Sequence, residues 1–83
     1  MTILLIDDDP LALKLLAHQL ARCGYEDVRL HERAQDALAL LASAQEDIDL
    51  VFCDLQMPDM DGVECLRCLA RMGYVGGLVM CSG

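Results

Sequence analysis

The sequence predicts an α/β domain, a parallel sheet with helices on both faces. Short apolar runs alternate with stretches of helical periodicity, in the order β-α-β-α-β-α-β. Strands joined through helices lie parallel, and their right-handed crossovers place helices against the sheet. A chain of 83 residues has room for one hydrophobic core, so residues 1–83 are expected to form a single domain.

The first βα unit is marked by clear boundary signals. Thr2 to Ile6 is continuously apolar in character, as is typical of a central parallel strand. Asp9 followed by Pro10 predicts a helix start, with an acidic N-cap and proline at the first helical position. Gly24 is expected to end that helix at the C′ position. The predicted buried face consists of Leu13, Leu16, Ala17 and Leu20.

The second unit and the third strand follow the same logic. Apolar and basic residues alternate from Val28 to His31, which predicts a short, half-exposed strand. A second helix is expected over roughly Arg33 to Ala44. Its predicted apolar face consists of Ala34, Ala37, Leu38 and Leu41. The apolar run Leu50 to Cys53 then predicts a buried strand that delivers Asp54 to its end.

A third helix and a fourth strand complete the predicted order. Asp61 and Glu64 form a D-x-x-E pair, similar to a capping box, at the helix start. The helix should stop at Gly73, and Leu78 to Cys81 should form the last strand. The residues expected to be buried along this helix are Val63, Leu66, Leu69 and Ala70.

Composition excludes several classes of partner. Fourteen acidic against six basic residues give a net charge of −8, which disfavours direct binding to nucleic acid or an anionic membrane. No apolar stretch approaches the roughly 18 residues that a membrane span needs. Five cysteines without a secretory signal predict reduced thiols and a cytoplasmic location.

The cysteines are interpreted as structural. Cys65-x-x-Cys68 lies within a predicted helix and has no second pair, which favours two buried or half-buried thiols over a zinc or redox site. Cys23, Cys53 and Cys81 are predicted to be small core residues.

Acidic residues at two strand ends predict a cation site. Asp7 and Asp8 follow the first strand, and Asp54 ends the third. Carboxylates that converge at one edge of a sheet repel one another unless a proton or cation intervenes. Mg²⁺ would resolve this repulsion, and an aspartate beside such an ion can act as a nucleophile and form an aspartyl phosphate. Ser82, after the fourth strand, could donate a hydrogen bond to that phosphoryl group.

Two motifs carry a resemblance to a known family. Residues 3–10 read Ile-Leu-Leu-Ile-Asp-Asp-Asp-Pro, and residues 54–62 read Asp-Leu-Gln-Met-Pro-Asp-Met-Asp-Gly. In this order, with a βαβα unit between them, they resemble the receiver domain of two-component response regulators. The resemblance implies a flavodoxin-like, CheY-like sheet with strand order 2-1-3-4-5. About four of the family's five βα units are covered, so an incomplete receiver lacking the fifth βα unit is expected, without the active-site lysine and switch aromatic of the fifth strand.

The resemblance also implies roles for individual residues. Asp54 would be the phosphoacceptor and contribute to the Mg²⁺ site. Asp8 would bind Mg²⁺ directly and Asp7 through water. Gln56 would offer its backbone carbonyl to the ion, and Ser82 would contact the phosphoryl group.

The implied function is signalling in a bacterial cytoplasm. A histidine kinase or phosphotransfer protein would phosphorylate Asp54, and a conformational change would relay the signal. Such a domain is not an enzyme with a free substrate; at most it phosphorylates and dephosphorylates itself. One alternative is a non-phosphorylated pseudo-receiver or interaction module, which docks on a partner or self-associates through the exposed edge of its fourth strand. Another is a small aspartyl-phosphate phosphohydrolase, which Gln56 disfavours because such enzymes commonly carry a second aspartate there.

Overall fold

The computed structural model describes residues 1–44, 47–54 and 60–81. Within them the chain folds in the predicted order of strands and helices. The elements are β1 (Ile3–Ile6), α1 (Pro10–Arg22), β2 (Val28–His31), α2 (Ala34–Ala44), β3 (Leu50–Asp54), α3 (Gly62–Met72) and β4 (Gly77–Cys81). The first strand and the second helix each begin one residue later than predicted, at Ile3 and Ala34.

The four strands form one parallel sheet in the order β2-β1-β3-β4. Ile3 of β1 pairs with Val28 on one side and with Leu50 on the other. Along β3, Asp54 pairs with Cys81 of β4. The order matches the 2-1-3-4 part of the expected arrangement. Because all strands run in one direction, the residues that follow β1 and β3 emerge at the same edge of the sheet.

Side chains of the central strand alternate between two layers of helices. All four residues of β1 are at most 2% exposed. Ile3 and Leu5 lie in the cluster that contains Leu13 of α1. Leu4 and Ile6 lie in the larger cluster on the opposite face, with residues of α2 and α3. This two-sided burial explains why β1 is continuously apolar in sequence.

The α2 face is buried as the sequence predicted. Ala34, Ala37, Leu38 and Leu41 are each at most 7% exposed. They pack in the larger core cluster with Val51 and Cys53 of β3. Burial of each of the two leucines contributes about 1.5–3 kcal/mol through removal of apolar surface from water.

The predicted burial of α3 was largely wrong. Val63 and Leu66 are 59% and 48% exposed, and Ala70 is exposed; only Leu69 of the four predicted residues is buried. The face against the sheet instead contains Cys65, Cys68, Leu69 and Met72. These positions follow the i, i+3, i+4, i+7 spacing of one helix face. The helix has two apolar stripes, and the stripe that carries its cysteines is the one that packs.

The predicted acidic N-caps are present at the starts of α1 and α3. Asp9 accepts a hydrogen bond from the Leu11 amide at 3.0 Å, and Asp61 accepts one from the Glu64 amide at 2.8 Å. Gly24 and Gly73 follow their helices with φ of 96° and 73°, a region that glycine enters without steric cost. The prediction that Cys23 belongs to the core was wrong. Cys23 is the C-cap of α1 and is exposed, because the helix ends there at the surface.

The described helices are short. The longest of them, α1, has 13 residues, which at about 1.5 Å per residue reach about 20 Å. No helix in the described ranges combines the length and apolar character of a membrane span.

Candidate functional site

The acidic site is built by the pairing of β1 with β3. Ile6, the last residue of β1, is the register partner of Cys53. Asp7 therefore follows its strand beside Asp54, and Asp8 is the next residue along the chain. One carboxylate oxygen from each of Asp7, Asp8 and Asp54 lies within 4.8 Å of the others. The structure thus brings together the three carboxylates that the sequence predicted to meet.

The three carboxylates differ in their exposure to water. Asp54 is buried, with 8% of its surface exposed. Asp7 is half-buried, and Asp8 is exposed. Asp7 also accepts a hydrogen bond from the Asp9 amide at 3.0 Å, which fixes its side chain beside the first turn of α1. The site is therefore open on the side of Asp8 and closed around Asp54.

The pKa of Asp7 shows the electrostatic cost of bringing the three carboxylates together. Burial raises its pKa above the ordinary value of 3.8, and the nearby charges of Asp54 and Asp8 raise it further. The hydrogen bond from the Asp9 amide acts in the opposite direction, because it favours the ionised carboxylate. The net shift is upward, so the folded chain disfavours the negative charge on Asp7.

A cavity of about 130 Å³ lies next to the site on the α1 side of the sheet. Its apolar wall includes Leu5, Leu13 and Phe52, and Asp7 and Asp54 also line it. Apolar walls lower the local dielectric and weaken the hydration of a neighbouring charge.

The donor set fits a hard divalent cation. Carboxylate oxygens are the ligands that Mg²⁺ prefers, usually one or two of them together with water and phosphate oxygens. The close approach of Asp7, Asp8 and Asp54, and the raised pKa of Asp7, are both relieved when a positive ion sits between them. A cation bound by these carboxylates would leave its remaining positions to water or to a phosphoryl group.

The remaining predicted site residues, Gln56 and Ser82, lie outside the described residues. One feature near the site was not predicted at all. The Sγ atoms of Cys65 and of Cys53, the residue before Asp54, lie 3.5 Å apart in the core. The two cysteines are twelve positions apart on different elements, and only the packing of α3 on β3 brings them together.

Comparison with known proteins identifies the family. A profile of the response regulator receiver domain matches residues 3–83. The chain belongs to the response regulator receiver domain family. Its parallel sheet with helices on both faces is therefore that of a receiver domain.

Several curated relatives of this receiver domain come from plants. The two-component response regulator ORR24 of rice is 46% identical over 67 residues, which are 81% of this chain and 10% of the relative. ARR11 of Arabidopsis thaliana is 43% identical over 65 residues, 78% of this chain and 12% of that protein. The chain spans about a tenth of the length of these relatives. They give no support to the bacterial source expected from the motifs.

Solved structures share the fold. The crystal structure of FixJ-N is 32% identical with a TM-score of 0.80; the match covers 95% of this chain and 61% of that one. MaeR bound to beryllium trifluoride is 29% identical with a TM-score of 0.86, covering 100% and 68%. CheY of Borrelia burgdorferi, in a complex with CheX, beryllium trifluoride and Mg²⁺, has a TM-score of 0.90 at 24% identity, covering 99% and 61%. The last comparison concerns the fold alone.

Proposed function

We propose that this receiver domain accepts a phosphoryl group on Asp54 from a phosphohistidine of a histidine kinase or a phosphotransfer protein. The observation that supports this function is the position of Asp54: it ends β3, is 8% exposed, and has a carboxylate oxygen within 4.8 Å of oxygens of Asp7 and Asp8. Carboxyl ends of parallel strands are where α/β folds place their chemistry. Reduced thiols and the acidic charge of the chain fit a cytoplasmic location.

Asp54 is the best acceptor among the three carboxylates. It is the last residue of β3 and pairs with Cys81 of β4, so its backbone is held at the edge of the sheet where the three carboxylates meet. Asp7 is engaged with the Asp9 amide, and Asp8 is exposed to water. These two residues are better suited to hold a cation than to form a covalent bond.

The transfer itself requires little from the protein beyond position and charge. An ionised oxygen of Asp54 attacks phosphorus, and a P–O bond forms as the P–N bond to the donor imidazole breaks. The donor imidazole already carries a proton on its other ring nitrogen, so it takes the electrons of the P–N bond and leaves as neutral imidazole. Asp7, Asp8, Asp54 and the Gln56 carbonyl would hold Mg²⁺, which supplies charge neutralisation of the phosphoryl oxygens. The Ser82 hydroxyl donates a hydrogen bond to the phosphoryl group.

Signal relay follows from the added charge. A phosphoryl group brings about −1.5 to −2 charges and strong acceptor oxygens to the end of β3. The proposed hydrogen bond from Ser82 would draw the end of β4 toward these oxygens. A partner that distinguishes the two arrangements reads the phosphorylation state.

Intact-mass measurement tests the proposed acceptor. The chain is incubated with Mg²⁺ and acetyl phosphate, alongside the variants Asp54→Asn and Asp36→Asn. Asp36 lies in the first turn of α2, outside the acidic site, and serves as the matched control. The expected result is one phosphoryl adduct on the native chain and on Asp36→Asn, and none on Asp54→Asn. An equal adduct on Asp54→Asn would show that another residue is the acceptor.

A second candidate is a non-phosphorylated interaction module. The observation that favours it is the position of β4 at the end of the sheet, where it pairs with β3 alone among the described strands. A chain that takes up no phosphoryl group from either acetyl phosphate or a phosphorylated phosphotransfer protein would favour this function over phosphoacceptance.

A further inference from the structure

A pair of thiols lies behind the proposed phosphoacceptor. Cys53, the residue before Asp54, is 1% exposed, and Cys65 of α3 is also 1% exposed. Their Sγ atoms are 3.5 Å apart, and the Cys53 Sγ lies 3.4 Å from the backbone carbonyl oxygen of Asp54. Both residues belong to the larger core cluster, between the sheet and α3. The two thiols are thus in direct contact with each other, and one of them contacts the backbone of the acidic site.

The distance is close to what a disulfide requires. An S–S bond is about 2.0 Å long, so the two sulfurs need to approach by about 1.5 Å. The first turn of α3 lies on the far side of this gap, held by the Asp61 cap. A small shift of this turn toward β3, or of the end of β3 toward the helix, closes the distance.

We propose that Cys53 and Cys65 form an intramolecular disulfide under oxidation by a peroxide, and that this bond weakens cation binding at the acidic site. One thiolate attacks hydrogen peroxide; an S–O bond forms, the O–O bond breaks and hydroxide leaves. The second thiolate then attacks the sulfenic sulfur, forming S–S and releasing the oxygen as hydroxide. The two thiol protons convert both hydroxides to water, so two thiols and one peroxide give one disulfide and two waters.

The coupling to the site comes from chain continuity. Closing the Cys53–Cys65 gap displaces the end of β3, and Asp54 is the next residue. Cation sites lose affinity when a ligand is displaced, and loss of a supporting contact typically costs 10-fold or more. Local openings of α3 let the oxidant reach the buried pair, because such openings cost less than global unfolding. The disulfide is inferred from the distance between the two Sγ atoms. The weakened cation binding also rests on the proposed function of the acidic site.

Peptide mapping tests the bond. The chain is oxidised with hydrogen peroxide, its free thiols are blocked under denaturing conditions, and it is digested with an aspartate-specific protease and trypsin. Residues 49–53 and 61–67 then fall in separate fragments, each with one cysteine. The expected product is the disulfide-linked pair of these fragments, present in the native chain and in Cys68→Ala, absent from Cys65→Ala. The proposal would be overturned if Cys23, which is exposed, became oxidised while Cys53 and Cys65 were both recovered with the thiol-blocking group attached.

Calorimetric titration with Mg²⁺ tests the consequence. The oxidised native chain should bind about tenfold more weakly than the reduced chain. Dithiothreitol should restore the affinity, and Cys65→Ala should bind equally under both conditions. Unchanged affinity in a chain shown to carry the disulfide would overturn the coupling. Phosphoryl uptake is measured on the reduced chain, so its failure would count against the proposed function and leave the mapping result intact.

Discussion

Asp7 carries a charge that the folded chain disfavours without a cation. Its pKa is raised by burial and by Asp54 and Asp8. Above the raised pKa the carboxylate is ionised in both folded and unfolded chains, and the folded state bears the full penalty. As the pH falls through the raised pKa the folded chain binds the proton first, so the penalty declines; below the ordinary value of 3.8 it is gone.

Asp7→Asn should therefore stabilise the metal-free chain at neutral pH. An increase of up to about 1 kcal/mol in the free energy of unfolding is expected, with the difference from the native chain shrinking as the pH is lowered toward 4. Urea denaturation at several pH values in the presence of a chelator measures it. A less stable variant at neutral pH would mean that the Asp9 amide stabilises the ionised carboxylate more than burial and repulsion disfavour it.

Mg²⁺ should reverse the order of stability. A ligand that binds only the folded state adds RT ln(1 + [L]/Kd), which is about 2.7 kcal/mol at a hundredfold excess over Kd. The native chain should gain this stabilisation, whereas Asp7→Asn and Asp54→Asn should gain much less because each loses a ligand oxygen. Thermal unfolding with and without Mg²⁺ measures the gain, with Asp36→Asn as the control that keeps it. Equal gains in all four chains would place the cation elsewhere.

The helix caps illustrate what sequence predicts well at the level of elements. Asp9 and Asp61 were assigned from their neighbours along the chain, and both accept the expected amide hydrogen bonds. Asp61→Ala should cost about 1 kcal/mol in stability, and Asp61→Asn much less because its amide oxygen still accepts the bond. Denaturant titration of the two variants measures the difference. Equal losses would assign the effect to charge at the helix start.

The two apolar stripes of α3 illustrate what sequence predicts poorly. Leu69→Ala should cost about 2–5 kcal/mol because the side chain is 3% exposed. Leu66→Ala, on the same helix and 48% exposed, should cost less than about 1 kcal/mol. A larger loss for Leu66→Ala would restore the burial pattern that the sequence predicted.

The helix caps were predicted correctly and the packing face of α3 was not, because caps depend on neighbouring residues and packing depends on residues far apart in the chain. Strand order, caps and the meeting of Asp7 with Asp54 follow from local signals and from the shared direction of parallel strands. The packing face of α3 and the Cys53–Cys65 contact depend on how the helix is rotated against the sheet. Periodicity does not fix that rotation when a helix carries leucine and valine on one stripe and cysteine and leucine on another.

The whole molecule is asymmetric about its sheet. Two helices, α2 and α3, cover one face and bury most of the core. Within the described residues α1 alone packs on the other face, where Phe52 is half-buried and its register partner Val79 is 39% exposed. Phe52 and Val79 lie side by side on this face, next to the outer side of β4.

The uncharged edge of β4 predicts that the 83-residue chain self-associates through this strand. Both outer strands of the described sheet have a free side, but β2 carries Arg29 and His31, whereas β4 reads Gly-Leu-Val-Met-Cys without a charge. Charged side chains on an edge strand discourage pairing with another chain, and an uncharged edge permits it. A second copy adding its own β4 would give a symmetric, closed pair of sheets.

Val79→Lys should therefore weaken the association, and Leu30→Lys should not. The two residues are 39% and 42% exposed and lie on opposite edge strands, so the substitutions introduce the same charge at similar burial. Sedimentation equilibrium measures the dimer dissociation constant, which should rise at least about tenfold for Val79→Lys, because a charge buried without a partner costs more than 1.4 kcal/mol. Circular dichroism checks that both variants are folded. A native chain that stays monomeric at high concentration would contradict the predicted self-association. It would show that the uncharged edge of β4 is tolerated in water.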